Sequence, residues 1–211
     1  MPKEPDVKRT YVFIDGQNLF HAVKDAFGYS YPNYNPKVLA HEICNSKGWL
    51  IDEIFFYTGV PDLDDDVRWN RFWNAKLANL GRAGIKTFSR SLRYRNQKVK
   101  LPDGSSFVTL VAQEKGIDVR IALDVVRFTR EKVYDVALIF SQDQDLSEVA
   151  DEIQSISIEQ KRWIKIACAY PTSPTYNNRR GINKTEWIPI NREIYNKCID
   201  IKDYRSVMEK N

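Results

Sequence analysis

Three short blocks carry side chains whose types and spacing could do chemistry together. Asp15 directly follows the apolar run Val12-Phe-Ile14, in Phe-Ile-Asp-Gly-Gln-Asn-Leu. Asp118 lies in Lys115-Gly-Ile-Asp-Val-Arg-Ile-Ala-Leu-Asp124, and Asp143 and Asp145 lie in Ser141-Gln-Asp-Gln-Asp-Leu146. A lone aspartate ahead of a helix is commonly an N-cap, which contributes about 1 kcal/mol and has no catalytic role. Several gathered on one edge are different, because crowded like charges are unfavourable without a cation. A ligand set made only of oxygen suits Mg²⁺ or Mn²⁺ rather than zinc. A cation held that way can orient a phosphate, generate hydroxide from bound water and stabilise a leaving oxygen. Taken one at a time, each aspartate can be read as cap or as ligand.

The elements around these blocks decide whether they meet. Short apolar runs alternate with helical patterns, which is the signature of βαβ units and a parallel sheet. Tyr11–Ile14, Asp52–Val60, Ile85–Ser89, Asp135–Phe140 and Trp163–Tyr170 read as strands. Gln17–Phe27, Pro36–Ser46, Ile117–Arg130 and Gln144–Ile153 read as helices, and Asp62–Asp66 would open another on an acidic first turn that Gly81 ends. Ser91–Thr109 reads as a hairpin around Pro102-Asp-Gly-Ser105. Beyond Pro171 the pattern weakens, leaving Ile190–Cys198 as a last short element. In open parallel sheets ligands sit outside the carboxyl ends of the strands. Asp15 and the Asp143 block follow strands, and Asp118 opens a helix. One domain over 1–211 is expected, with its core at about 10–170 and a less regular extension at 171–211.

The 211 residues are 43% hydrophobic and 28% charged, an ordinary globular mixture. No apolar run approaches the ~20 residues of a membrane span. The polar start Met1-Pro-Lys-Glu-Pro has no apolar signal core, so a cytoplasmic protein is expected. Cys44, Cys168 and Cys198 are odd in number and far apart, unlike a disulfide framework or a zinc site. The net charge of +4 conceals an asymmetry. Val67 to Pro102 holds ten basic residues and no acid, which leaves 22 basic against 28 acidic residues elsewhere. Such a tract is the footprint expected for a polyanion such as nucleic acid, and a solvated face is the plainer alternative. Arg90, Arg93, Arg95, Lys98 and Lys100, in or beside the hairpin, are the candidate nucleic-acid contacts.

Other site classes fit less well. Asp15-Gly-Gln-Asn18 is not a glycine-rich dinucleotide fingerprint, and the Gly81–Gly84 pair lacks the Gly-Lys-Ser/Thr ending of a phosphate loop. An aspartyl-phosphate mechanism of the haloacid-dehalogenase type wants a second Asp where Gln17 stands.

Taken in order and spacing, the three blocks resemble the signature blocks of NYN-domain proteins in the PIN-like nuclease superfamily, closest to the LabA-like branch. The likeness spans about Tyr11 to Tyr170. It implies a three-layer α/β/α sandwich with a mainly parallel central sheet and Mg²⁺- or Mn²⁺-dependent cleavage of RNA. By it, Asp15, Asp118 and Asp143 would be the catalytic metal-binding acids, with Asp145 also holding metal. Asn18 would help hold metal, water or the turn, and Ser141 would support its loop. Asp124 also matches a recurring acid, but six residues of helix turn it about 120° from Asp118. It is therefore expected to act from behind or structurally. Gln142 and Gln144 stand where many relatives carry Gly or Ser, and the basic hairpin is long for the family.

The expected function is hydrolysis of phosphodiester bonds in single-stranded RNA, with DNA as the other candidate substrate and a homo-oligomer allowed. The alternative is a nucleic-acid-binding regulatory protein that keeps the acidic pocket with little or no turnover. Trp69, Trp73 and Leu77 fall at helical spacing and read as core rather than stacking rings. Tyr29, Tyr31 and Tyr34 could stack on bases or simply pin their loop. His21 reads as a packed or exposed histidine, and Lys115 could steer phosphate or be solvated.

Overall fold

The structure is a computed structural model that describes residues 2–101 and 104–207. Six strands form one sheet: β1 (Arg9–Asp15), β2 (Leu50–Val60), β3 (Lys86–Ser91), β6 (Val136–Phe140), β7 (Lys165–Pro171) and β8 (Glu186–Ile190). Their order is β3-β2-β1-β6-β7-β8 and every neighbouring pair is parallel. The helices α1 (Gly16–Phe27), α2 (Pro36–Lys47), α3 (Val67–Arg82), α4 (Ile117–Arg130), α5 (Ser147–Glu159) and α6 (Arg192–Lys197) flank it. Two apolar clusters lie on opposite faces of β1. Val12 and Ile14 enter one with α1, α2 and α3, while Phe13 enters the other with α4 and α5. That split follows from strand alternation, and it makes the architecture the expected α/β/α sandwich.

Local chemistry accounts for several element boundaries. Asn35 caps α2, accepting from the amides of Lys37 and Val38, with Pro36 supplying a pre-set first-turn φ. Helix α3 begins at Val67 under an Asp66 cap, so Asp62–Asp65 form a preceding turn rather than its first turn. It also runs past Gly81 to Arg82.

The chain after Pro171 returns to the sheet as β8, whose Ile188 and Ile190 are buried. Tyr195 and Tyr204 enter the same core from farther on. Pro189 is tolerated because β8 is an edge strand.

Between β3 and α4 the chain leaves the sheet as a separate antiparallel hairpin, β4 (Arg93–Lys100) with β5 (Ser106–Gln113). Pro102 and Asp103 of the expected turn lie outside the described residues; Gly104 has φ +85°, a left-handed conformation suited to glycine. The ten-charge tract does not form one face. Lys76 is fully buried beneath Tyr34 and Tyr204, donating to the Tyr34 carbonyl at 2.8 Å and facing Asp200 at 3.6 Å. Lys86 is paired with Glu53. Among the described residues no helix is long and apolar enough to cross a membrane.

Candidate metal centre

Parallel pairing brings the carboxyl ends of β1 and β6 side by side, with Ile14 opposite Phe140. Asp15 is the last residue of β1 and Ser141–Asp143 follow β6, so their two turns share one edge of the sheet. Gly16 is required there, since a Cβ would stand 2.6 Å from the Phe56 ring and 3.0 Å from the Tyr57 carbonyl oxygen. Asp118 reaches the same edge from the first turn of α4.

The turns are tied together. Asp15 is buried and its Oδ1 accepts from the Asn18 amide at 3.0 Å, while Ser141 also bonds its carboxylate. Asn18 Oδ1 accepts from the Gln142 amide at 2.8 Å. Ser141 Oγ accepts from the Asp143 amide at 3.2 Å, and Asp143 Oδ1 accepts from the Asp145 amide at 3.0 Å. Asp15 and Asp143 therefore do serve as caps, of α1 and of the short 3₁₀ turn Gln144–Leu146. Asp118 does not: α4 starts from Gly116, at φ +77°, with no side-chain cap.

Asp118, Asp143 and Asp145 each offer an oxygen, and the three oxygens lie within 4.8 Å of one another. Asp15 lines one cleft with Asp118 and Asp143, and its pKa is pushed up to about 7 by burial and by the charges of Asp143 and Asp118. Glu114, which follows the hairpin, was not anticipated from the sequence. Its Oε1 is buried without a hydrogen-bond partner. Burial and the Asp15 charge push its pKa up to about 8, against the pull of the Gly59 amide. An all-oxygen group crowded with carboxylates, with an orphaned buried oxygen beside it, fits a hard divalent cation. The sequence signal for Glu114 was only a lone acid four residues before Asp118.

Asp124 stands apart. It accepts from the Tyr57 hydroxyl at 3.0 Å and from Arg120 Nε at 2.8 Å, with Arg127 at 3.3 Å. Neither the carboxylate group nor the cleft includes it.

The cleft, of about 790 Å³, runs out from this floor between α1, the start of α3 and the hairpin. Lys24 and Lys115 line it, and no ion pair engages either among the described residues. None of Arg90, Arg93, Arg95, Lys98 and Lys100 lines it. Arg90 Nη1 packs over Gly116, and its guanidinium lies 5.6 Å from the Phe88 ring centre. The other four are exposed on β4, where alternation puts Arg93 and Arg95 opposite to Tyr94, Lys98 and Lys100. Tyr34 is buried and its hydroxyl donates to the Gly16 carbonyl, so that ring pins its loop instead of facing the cleft. Gln142 and Gln144 do not hang into the cleft. Gln142 Nε2 donates to the carbonyls of Asn178 and Arg180, and Gln144 to that of Gly181. They fasten the C-terminal segment to the third acidic block.

A crystal structure of a protein of unknown function from Vibrio parahaemolyticus is similar, at TM-score 0.54 and 16% identity, covering 90% of this chain and 98% of that one. A ribokinase from Giardia lamblia is a fainter likeness, at TM-score 0.40 and 10% identity over 87% of this chain and 58% of that one. No curated protein matches the chain. The NYN domain family model, in contrast, matches residues 9–164 and takes in all three acidic blocks. The chain belongs to the NYN domain family.

Proposed function

We propose that the chain is a Mg²⁺- or Mn²⁺-dependent endoribonuclease of the LabA-like branch, hydrolysing phosphodiester bonds of single-stranded RNA in the cytoplasm. The observation that carries this reading is the convergence of the Asp118, Asp143 and Asp145 oxygens, at a cleft lined by buried Asp15, by Asp118 and Asp143, and by Lys24 and Lys115, neither of which has an ion pair among the described residues. Asp15, Asp118, Asp143 and Asp145 would hold the cation, with Glu114 beside them. When bound, it would polarise the phosphate and lower the pKa of water.

The protein's own groups do the positioning. Asn18, through the Gln142 amide, and Ser141, through the Asp15 carboxylate, hold the two acidic turns together. Lys24 and Lys115 meet the phosphates on either side of the scissile one, and Lys98 and Lys100 reach farther along the strand. Attack by water opposite the leaving 3′-oxygen leaves a 5′-phosphate and a 3′-hydroxyl. The 2′-hydroxyl takes no part as nucleophile, so DNA is discriminated by fit alone.

The Gln142 and Gln144 clamps favour a second reading, since they close the third block from one side. In that reading the chain binds nucleic acid and turns it over little or not at all. Labelled single-stranded RNA and DNA incubated with Mn²⁺, Mg²⁺ or EDTA decide between them. Cation-dependent RNA fragments with 5′-phosphates support the nuclease; intact RNA in every condition removes it.

A further inference from the structure

The walls of the cleft are not what a duplex would need. Phe20 of α1, Trp69 of α3 and Tyr94 of the hairpin each line it, and each is only half-buried. The Phe20 and Trp69 ring centres are 6.4 Å apart. Trp69 is held edge-on by Phe72, 5.1 Å away, in the core beneath. The hairpin turns one face into the same cleft, with Tyr94 on its first strand and Leu110 and Ala112 on its second, and Leu92 just ahead of it also lines the cleft. Leu110 is 59% exposed although it faces a cleft rather than open solvent. The apolar surface left bare here thus shares one cleft with Lys24, Lys115 and the carboxylates Asp15, Asp118 and Asp143.

We propose that this wall is a stacking subsite for an unpaired nucleobase, with Tyr94 as the ring supplied by the hairpin. The inference rests on the phosphodiesterase reading for the identity of the polymer. One cleft offers aromatic and aliphatic side chains, the lysines Lys24 and Lys115 without an ion pair among the described residues, and carboxylates suited to a cation that binds phosphate. That sequence of chemistries matches one nucleotide strand: base face, flanking phosphate, scissile phosphate. A duplex keeps its base faces inside and presents mainly phosphates and groove edges, so it cannot use the rings. The hairpin therefore serves through its apolar inward face, which selects single strands, while Arg93 and Arg95 point away from it.

Fluorescence anisotropy in EDTA, where no cleavage can occur, tests the subsite. The probes are a short labelled RNA, the same strand with abasic residues, and its blunt duplex. Wild-type protein should bind the intact strand about tenfold more tightly than the abasic one, the order expected for one stacked base. Tyr94→Leu, which keeps the apolar packing but removes the ring, should lose about tenfold on the intact strand and nothing further on the abasic strand. Tyr94→Phe should bind like wild type. Trp69→Leu, checked for folding by its melting curve, should reproduce the Tyr94→Leu pattern. Equal binding of intact and abasic strands by wild type, or of duplex and single strand, would overturn the subsite. Cleavage in Mn²⁺ with no base dependence removes the subsite and leaves the nuclease. Base-dependent binding without Mn²⁺ cleavage supports the subsite and removes the nuclease.

Discussion

Asn18 Oδ1 accepts the backbone amide of Gln142 at 2.8 Å, and this bond, beside that of Ser141 to the Asp15 carboxylate, joins the turn that carries Asp15 to the turn that carries Asp143. The two acids are 128 positions apart in the chain, yet their separation depends on a side chain three residues from the first and an amide beside the second. Asn18→Ala leaves the Gln142 amide unpaired, at a cost of about 1–3 kcal/mol. It should lower the melting temperature by several degrees and weaken Mn²⁺ binding, both read by a thermal shift with and without the ion. Asn18→Asp restores an acceptor but adds a charge to the crowded carboxylate edge, so it should recover only part of the metal-free melting temperature and more of it in Mn²⁺.

Metal-free stability should fall as pH rises. Asp15 and Glu114 have folded-state pKa values raised to about 7 and about 8. A carboxyl raised above its unfolded value stabilises fully below that unfolded value and loses the contribution as pH climbs through the folded one. In EDTA the melting temperature should therefore drop between about pH 4 and pH 8. Mn²⁺ should reverse the trend, because the ion competes with those protons and gains affinity as they leave. Melting curves across pH, with and without Mn²⁺, check both halves. A flat profile in EDTA contradicts the assignment.

Much of this arrangement is legible in the chain, for identifiable reasons. Asp15 and Asp143 stand where a buried apolar run gives way to a helical pattern, and that transition places a residue at a sheet's carboxyl edge whatever the tertiary detail. Long-range partners are not legible. Lys76 reads as one more charge in a basic tract until Asp200, 124 positions later, and two tyrosine rings enclose it. β8 is short and contains Pro189, so its alternation is weak, and only pairing with β7 makes it a strand. Glu114 carries no local mark of burial.

Asp118 separates ligand from cap more cleanly than its partners, because Gly116 starts the helix with no side-chain bond. Asp118→Asn should change metal-free stability by no more than about 0.5 kcal/mol. It should nonetheless lower Mn²⁺ affinity by tenfold or more in a calorimetric titration. Asp124→Asn should do the opposite, weakening the bonds from Tyr57, Arg120 and Arg127 and lowering stability by about 1–3 kcal/mol while Mn²⁺ affinity holds.

The two glutamines of the third block should act as a latch on the C-terminal segment. Gln142→Gly together with Gln144→Ser removes the bonds to the carbonyls of residues 178, 180 and 181. Trypsin should then cut after Arg179 or Arg180 severalfold faster, with the fragments read by mass spectrometry. An unchanged cutting rate would mean that the segment is held elsewhere.

The hairpin's charges should divide by face. Lys98 and Lys100 share the side of Tyr94, so replacing both by Gln should flatten the salt dependence of single-strand binding by about 1.4 on a log–log scale, two contacts at about 0.7 each. Arg93→Gln with Arg95→Gln should change the slope by less. Binding measured across a salt series compares the two.

The central claim is that the carboxylates at the sheet edge hydrolyse nucleic acid through a divalent cation. Its most direct test is the rate of single-stranded RNA cleavage in Mn²⁺ by wild type and by Asp143→Asn, each repeated in EDTA. The predicted result is cleavage by the wild type in Mn²⁺, abolished by EDTA and reduced by orders of magnitude in a folded Asp143→Asn protein. Undiminished cleavage in EDTA, or full activity in Asp143→Asn, would contradict it.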